Sequence, residues 1–232
     1  MSGKSRIGTE HVKNVLNQIS STDINCNDNA KKILKLAQSR YNEAILITEN
    51  LKKKEAGFLT ELDQYVTSLS PDTVSIGLDD LLKIFNWKNT RGVFRPNINL
   101  INKNSDESVR AISKSAFAKI RENKWEKGLD ELEKLSGVGP ATATCFFAMD
   151  KENIPFMCDE ILEAVTGQRD YKRKSYLEMR KELVAKAALV DMNASDLCQS
   201  LWAHSVLNQV DSNTSEVEDT KKKGDGKKRK RS

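Results

Sequence analysis

Residues 135–143 read Leu-Ser-Gly-Val-Gly-Pro-Ala-Thr-Ala and lie between two segments with helical periodicity. Leucines recur at every third position from Leu129 up to this stretch, and an apolar run begins at Ala143. Two glycines around one small apolar residue allow a tight turn and a close approach of another backbone. Pro140 suits the first position of a helix, because its φ angle is already helical and its missing N–H is not needed there. The stretch therefore predicts two helices joined by a short turn.

The backbone N–H groups at such a turn and at the following helix start have no partner within the helix, and they attract anions. A phosphate of a nucleic acid is the ligand that best suits this kind of turn. We therefore expect the N–H groups of Gly137, Val138 and Gly139 to contact the backbone of one nucleic-acid strand.

This segment resembles the helix-hairpin-helix element, whose commonest form is Leu-Pro-Gly-Val-Gly-x-x-Thr-Ala, with Ser136 here in place of the proline. In the DNA glycosylase superfamily built on this element, an aspartate follows the hairpin after an apolar helix and a short loop. Asp159, 18 positions beyond Ala141, matches that spacing. The resemblance covers about residues 125–165. It implies double-stranded DNA as the partner and DNA contacts from the hairpin that include Ala141 and Thr142.

The resemblance also implies a chemical role for Asp159, as the carboxylate that stabilises the cationic sugar when a base departs. The alternative is that Asp159 caps a helix that starts at Glu160. Bifunctional glycosylases of this superfamily carry a lysine at the position of Ala141, and alanine has no amine for a Schiff base. A lyase reaction from position 141 is therefore not expected, whereas a monofunctional glycosylase stays compatible with the sequence.

A second informative segment is 87–96, Trp-Lys-Asn-Thr-Arg-Gly-Val-Phe-Arg-Pro, in which glycine and proline break a helix. Three cations, Lys88, Arg91 and Arg95, accompany two aromatic residues, a composition typical of phosphate contacts with stacking. The alternative is that the arginines cap helix ends or pair with internal carboxylates, while the aromatic residues belong to the core.

A base that leaves the DNA stack needs an aromatic or apolar pocket in the protein. The sequence offers four aromatic candidates for such a pocket, and each of them also suits the core: Trp87, Trp125, Tyr171 and Trp202.

The composition, with 31% charged and 38% hydrophobic residues among 232, excludes a membrane protein, since no apolar run approaches the roughly 20 residues of a membrane span. Four cysteines are scattered without paired spacing, and the two histidines lie far apart. We therefore expect free thiols in a reducing compartment, with no metal site, no iron–sulfur cluster and no other cofactor.

Apolar residues recur at helical spacing along most of the chain, and no alternation typical of strands persists. One long helix is predicted from about Asn29 to Leu51, and Ser105 is predicted to cap another. The sequence thus predicts an all-α, multi-helix domain of the DNA-glycosylase-like class over residues 9–209. Residues 1–8 and 210–232 are expected to be disordered.

The segment from Asp211 to Ser232 holds eight basic and five acidic residues and so carries +3 of the net charge of +5. Any DNA-binding surface on the folded part must then be a local patch. The tail ends with a basic run that predicts a nuclear localisation signal, recognised by a nuclear import receptor: Lys227, Lys228, Arg229, Lys230 and Arg231. The alternative is a tail that only increases solubility.

Three hypotheses follow. The first is a nuclear DNA-binding protein of the glycosylase-like class that removes damaged or mismatched bases as a monofunctional enzyme. The second is a noncatalytic nuclear adaptor for DNA or chromatin on the same scaffold, and the third is a helical module that binds protein. Whether Asp159 lines an open cleft beside the hairpin, or is used as a helix cap, separates the first two.

Overall fold

The computed structural model describes residues 3–20, 22–70, 72–147 and 154–225. Within these ranges the regular structure is helical and no strand is present, so the all-α prediction is confirmed. None of the helices in the described part of the chain is long and apolar enough to cross a bilayer. The α-helices are α1 (Gly3–Gln18), α2 (Ile24–Ser39), α3 (Tyr41–Leu51), α4 (Phe58–Ser68), α5 (Leu78–Arg91), α6 (Ile98–Ile101), α7 (Asp106–Arg121), α8 (Trp125–Leu132), α9 (Pro140–Ala143), α10 (Asp159–Thr166), α11 (Arg173–Leu189) and α12 (Ala194–Asp225). A 3-10 helix, Thr144–Phe147, continues directly from α9.

Several helix boundaries follow from local sequence signals. The Ser105 hydroxyl accepts a hydrogen bond from the N–H of Ser108 at 3.1 Å and caps α7 as predicted. α10 ends at Gly167, which has a φ of 77°. The predicted single helix from Asn29 to Leu51 is wrong, because α2 and α3 meet at Arg40. Its φ and ψ of −103° and 16° turn the chain within one residue, so the apolar pattern shows no gap there.

The two ends of the chain differ from the boundaries expected at residues 8 and 210. Helix α1 begins at Gly3, and Gly8 packs so closely against α12 that a Cβ atom there would lie 2.3 Å from Nε2 of Gln209. Such contacts between distant segments leave no mark in local periodicity. Helix α12 continues to Asp225, although its last part has no apolar stripe.

The core surrounds the short helix α9 with longer helices. Helix α5 packs against α4 and α7, and α12 packs against the first three helices, while α10 lies between α1 and α11. Large aromatic side chains fill the interior, among them Trp87, Phe117, Phe146 and Trp202. The short helix α9 contacts α5, α8 and α11. The turn before α9 therefore lies where the end of α5 and the start of α10 also reach the surface.

Candidate functional site

The turn between α8 and α9 contains two glycines with different requirements. Gly137 has a φ of 79°, and a Cβ atom there would lie 3.0 Å from side-chain atoms of Leu100 and Ile101. Only glycine fits such a position without strain. Gly139 has a φ of −105°, and an added Cβ atom would meet no other atom within 4 Å. Gly137 is thus required by the fold, whereas Gly139 faces open space.

The side chain of Asn104 fixes the turn to the segment between α6 and α7. Its Oδ1 atom accepts a hydrogen bond from the N–H of Ser136 at 2.8 Å, and its Nδ2 group donates to the carbonyl of Ser136 at 3.0 Å. The side chains of Leu135 and Val138 are buried on the inner side of the turn. The outer side of the turn is therefore held rigidly towards solvent.

The backbone N–H groups of the turn are only partly available to a ligand. The N–H of Val138 donates to the carbonyl of Leu135 at 3.1 Å, so it does not point outward as the sequence led us to expect. A β-turn uses this group internally, which is the physical reason for the difference. Among the described residues, none of the backbone hydrogen bonds of turns and helix ends is donated by the N–H of Gly137, Gly139 or Ala141. These three groups are the donors that the turn can offer.

A cavity of about 220 Å³ opens beside the turn. Its wall combines the turn, the start of α10, the end of α5 and the segment that follows α5. Seven of the nine residues predicted to contact DNA or to act in catalysis line it: Lys88, Arg95, Gly137, Gly139, Ala141, Thr142 and Asp159. The two glycines and Asp159 thus line one cavity.

The carboxylate of Asp159 lies at this cavity and is only 8% exposed. Its Oδ2 atom accepts a hydrogen bond from the N–H of Val93 at 2.7 Å, and its Oδ1 atom accepts one from the hydroxyl of Tyr171 at 2.7 Å. The cap position of α10 belongs to Cys158, and Asp159 is the first helical residue. The alternative that Asp159 is used as a helix cap is therefore wrong.

Tyr171 is the one of the four aromatic candidates that lines this cavity. Burial, followed by the negative charge of Asp159, raises the pKa of the Tyr171 phenol well above its usual range. The phenol therefore stays protonated and acts as a hydrogen-bond donor to Asp159. The guanidinium of Arg95 lies 5.2 Å from the centre of the Tyr171 ring. In the sequence Tyr171 stands out only as an aromatic residue, because its partner lies 12 positions away, at the start of α10.

Arg91 does not belong to the cavity, and the prediction that it contacts DNA is corrected. Its side chain is buried, 3.4 Å from the carboxylate of Asp63, and it donates a hydrogen bond to the hydroxyl of Tyr41. Its guanidinium carbon lies 3.7 Å from the centre of the Trp202 ring. Pairing with an internal carboxylate was the alternative predicted for Arg91, and the structure shows this pairing. Trp87 is core as that alternative proposed, whereas the side chain of Phe94 is 68% exposed.

Lys88 and Arg95 give the cavity a positive side. Lys88 is half-buried and Arg95 is exposed. Among the ion pairs of the described residues, none involves either side chain. Neither charge is neutralised by an ion pair, and the guanidinium of Arg95 also lies against the Tyr171 ring.

Glu160 lies behind the segment that follows α5. It lines a second cavity of about 320 Å³, and its Oε2 atom accepts a hydrogen bond from the thiol of Cys158 at 3.1 Å. Burial, followed by the charge of Asp159, raises the pKa of Glu160.

In the described part of the chain, no cluster of three or more histidine, cysteine or acidic side chains could hold a metal ion.

Residues 227–231 of the expected localisation signal lie outside the described residues.

Comparison of the chain with models of protein families, with curated proteins and with solved structures gives no match.

Proposed function

We propose that the chain is a helix-hairpin-helix protein of the DNA-glycosylase-like class that binds duplex DNA through the turn before α9. The observation that carries this proposal is the shared cavity, in which the outward N–H groups of the turn, two available cations and the carboxylate of Asp159 meet. A phosphate group suits the turn and the cations, since N–H groups and basic side chains are the usual donors to DNA backbone oxygens. The carboxylate then lies close to the sugar of a bound nucleotide.

The same arrangement suits the removal of a damaged or mismatched base. The target nucleotide leaves the stack, which costs least where pairing is already weakened. The bond between the sugar C1′ atom and the base nitrogen breaks, and its electron pair leaves with the base. The carboxylate of Asp159 stabilises the cationic sugar, and water then adds to C1′ while its released proton passes to the departing base anion, which leaves a neutral base and an abasic sugar. Ala141 supplies no amine, so the enzyme would be monofunctional.

One observation favours the second candidate, a noncatalytic adaptor for DNA or chromatin. Both oxygens of Asp159 hold neighbouring segments in place, one through Val93 and the other through Tyr171. A carboxylate that holds two segments together stabilises the fold, and this role requires no catalysis. In both candidates, nuclear import through Lys227, Lys228, Arg229, Lys230 and Arg231 accounts for the basic tail.

The experiment that tests the proposal is incubation of the protein with duplexes that carry damaged or mismatched bases, followed by scoring of abasic sites. We expect base release from at least one duplex, and a decrease of roughly 100-fold or more for Asp159→Asn, because charge stabilisation at the sugar is lost. Binding of each protein to the same duplex is the control. Absence of abasic sites on every duplex, with salt-dependent binding retained, would favour the adaptor instead.

A further inference from the structure

The peptide group between Gly92 and Val93 is held at both of its ends by oppositely charged side chains. Its carbonyl oxygen accepts a hydrogen bond from the ammonium of Lys52 at 2.8 Å, and its N–H donates to Oδ2 of Asp159 at 2.7 Å. A peptide group is planar, and its two polar atoms share one conjugated system. A cation at the oxygen therefore polarises the N–H and strengthens its bond to a carboxylate.

Gly92 makes this approach to Asp159 feasible. Its φ of −113° is open to any residue, so backbone conformation does not explain the glycine. A Cβ atom at position 92, however, would lie 2.7 Å from Oδ2 of Asp159 and 3.5 Å from the carbonyl oxygen of Lys88. Any larger residue must displace the carboxylate. The glycine is thus explained by the close contact of this peptide with Asp159.

Lys52 reaches the peptide from the side opposite to the candidate site. It follows α3 directly and lines the cavity that also contains Glu160, whereas Asp159 lines the cavity beside the turn. The segment that contains Val93 forms a wall of both cavities. Lys52 therefore acts on Asp159 only through the peptide group, and it does not line the cavity where the substrate would lie.

We propose that Lys52 is a positioning residue for Asp159 and acts through the Gly92–Val93 peptide. The peptide holds the carboxylate in a fixed orientation, and Lys52 fixes the peptide. The catalytic part of this inference rests on the proposed glycosylase function, whereas the positioning of the peptide does not. Its test therefore combines one measurement on the bond itself with one on the reaction.

The measurement on the bond is hydrogen exchange of the Val93 amide, followed by NMR in the full chain. We expect Lys52→Met to accelerate this exchange roughly tenfold relative to the wild type, because the N–H loses its support, while core amides keep their protection. Lys52→Arg retains a cation at the carbonyl and should restore most of the protection. Lys53→Met removes the same charge from the neighbouring position and is the matched control, for which we expect no change.

The measurement on the reaction is single-turnover base release with a duplex that the wild type processes. We expect Lys52→Met to lower the rate about fivefold with DNA affinity unchanged, and Gly92→Ala to lower it further by displacing the carboxylate. Unchanged Val93 exchange in Lys52→Met would overturn the inference, and faster exchange with an unchanged rate of base release would overturn its catalytic part. Weaker DNA binding with unchanged exchange would show that Lys52 contacts phosphate instead. If the wild type releases no base, the proposed function fails, while the exchange data still decide the positioning.

Discussion

Arg91 and Arg95 show how two similar residues acquire different roles within four positions. Arg91 is the last residue of α5 and points into the core, where Asp63 and Trp202 surround it. Gly92 ends the helix, so Arg95 does not follow on the same helical face and lies exposed at the cavity beside the turn. The candidate site therefore includes one of these arginines and excludes the other.

This difference gives a prediction for a pair of variants. Arg91→Met should lower the free energy of unfolding by about 3 kcal/mol, because Asp63 stays buried without its cation. Arg95→Gln should change the free energy of unfolding by less than about 0.5 kcal/mol and weaken DNA binding, with the salt dependence reduced by about one counterion. Urea unfolding and DNA titrations at several salt concentrations measure both effects. A stable Arg91→Met protein with weakened DNA binding would contradict this assignment.

Local sequence signals predicted only part of the candidate site. The turn, its positive-φ glycine and the helix start at Pro140 follow from residue types, and Asp159 follows from the spacing of the motif. The hydrogen bonds of Asp159 to Val93 and Tyr171 depend on how loops pack, and no pattern in the sequence marks them. For the same reason, the sequence could not show which arginine is buried.

At the level of elements, α1 and α12 close the fold by joining the two ends of the chain. The rings of His11 on α1 and His204 on α12 lie 6.1 Å apart and nearly perpendicular to each other. The side chain of Asn208 lies 3.1 Å from Nδ1 of His204. Burial, followed by the charge of His11, lowers the pKa of His204 below 6.5. The folded protein thus keeps His204 neutral at a pH where the unfolded chain already binds a proton.

Because the unfolded chain binds more protons there, acid should weaken the fold through this helix pair. The stabilisation is fully present above about pH 6.5 and is lost as the pH falls towards the lowered pKa. We expect the free energy of unfolding to decrease between pH 7.5 and pH 5.5, and the decrease to be smaller in His204→Gln. Urea unfolding at both pH values measures it, and an equal decrease in the two proteins would refute the role of His204.

At the scale of the whole molecule, the all-α class follows from periodicity, whereas the arrangement of helices around α9 does not. The cavity beside the turn is lined by residues from α5 to the loop before α11, which lie up to 83 positions apart, from Lys88 to Tyr171. Packing of large aromatic side chains in the core sets these distances. Because the tail holds +3 of the net charge of +5, the two cations at this cavity form a local positive patch on a nearly neutral body.

The central claim, that the turn before α9 contacts DNA, is tested most directly by the duplex affinity of Gly139→Leu. An added side chain at Gly139 meets no protein atom within 4 Å of its Cβ, so the thermal midpoint should stay the same as in the wild type. We expect the variant to bind duplex DNA at least about tenfold more weakly, because the side chain occupies the space of the phosphate, and we expect Gly139→Ala to have an intermediate affinity. Equal affinity of Gly139→Leu and the wild type, measured by fluorescence anisotropy at one salt concentration, would contradict it.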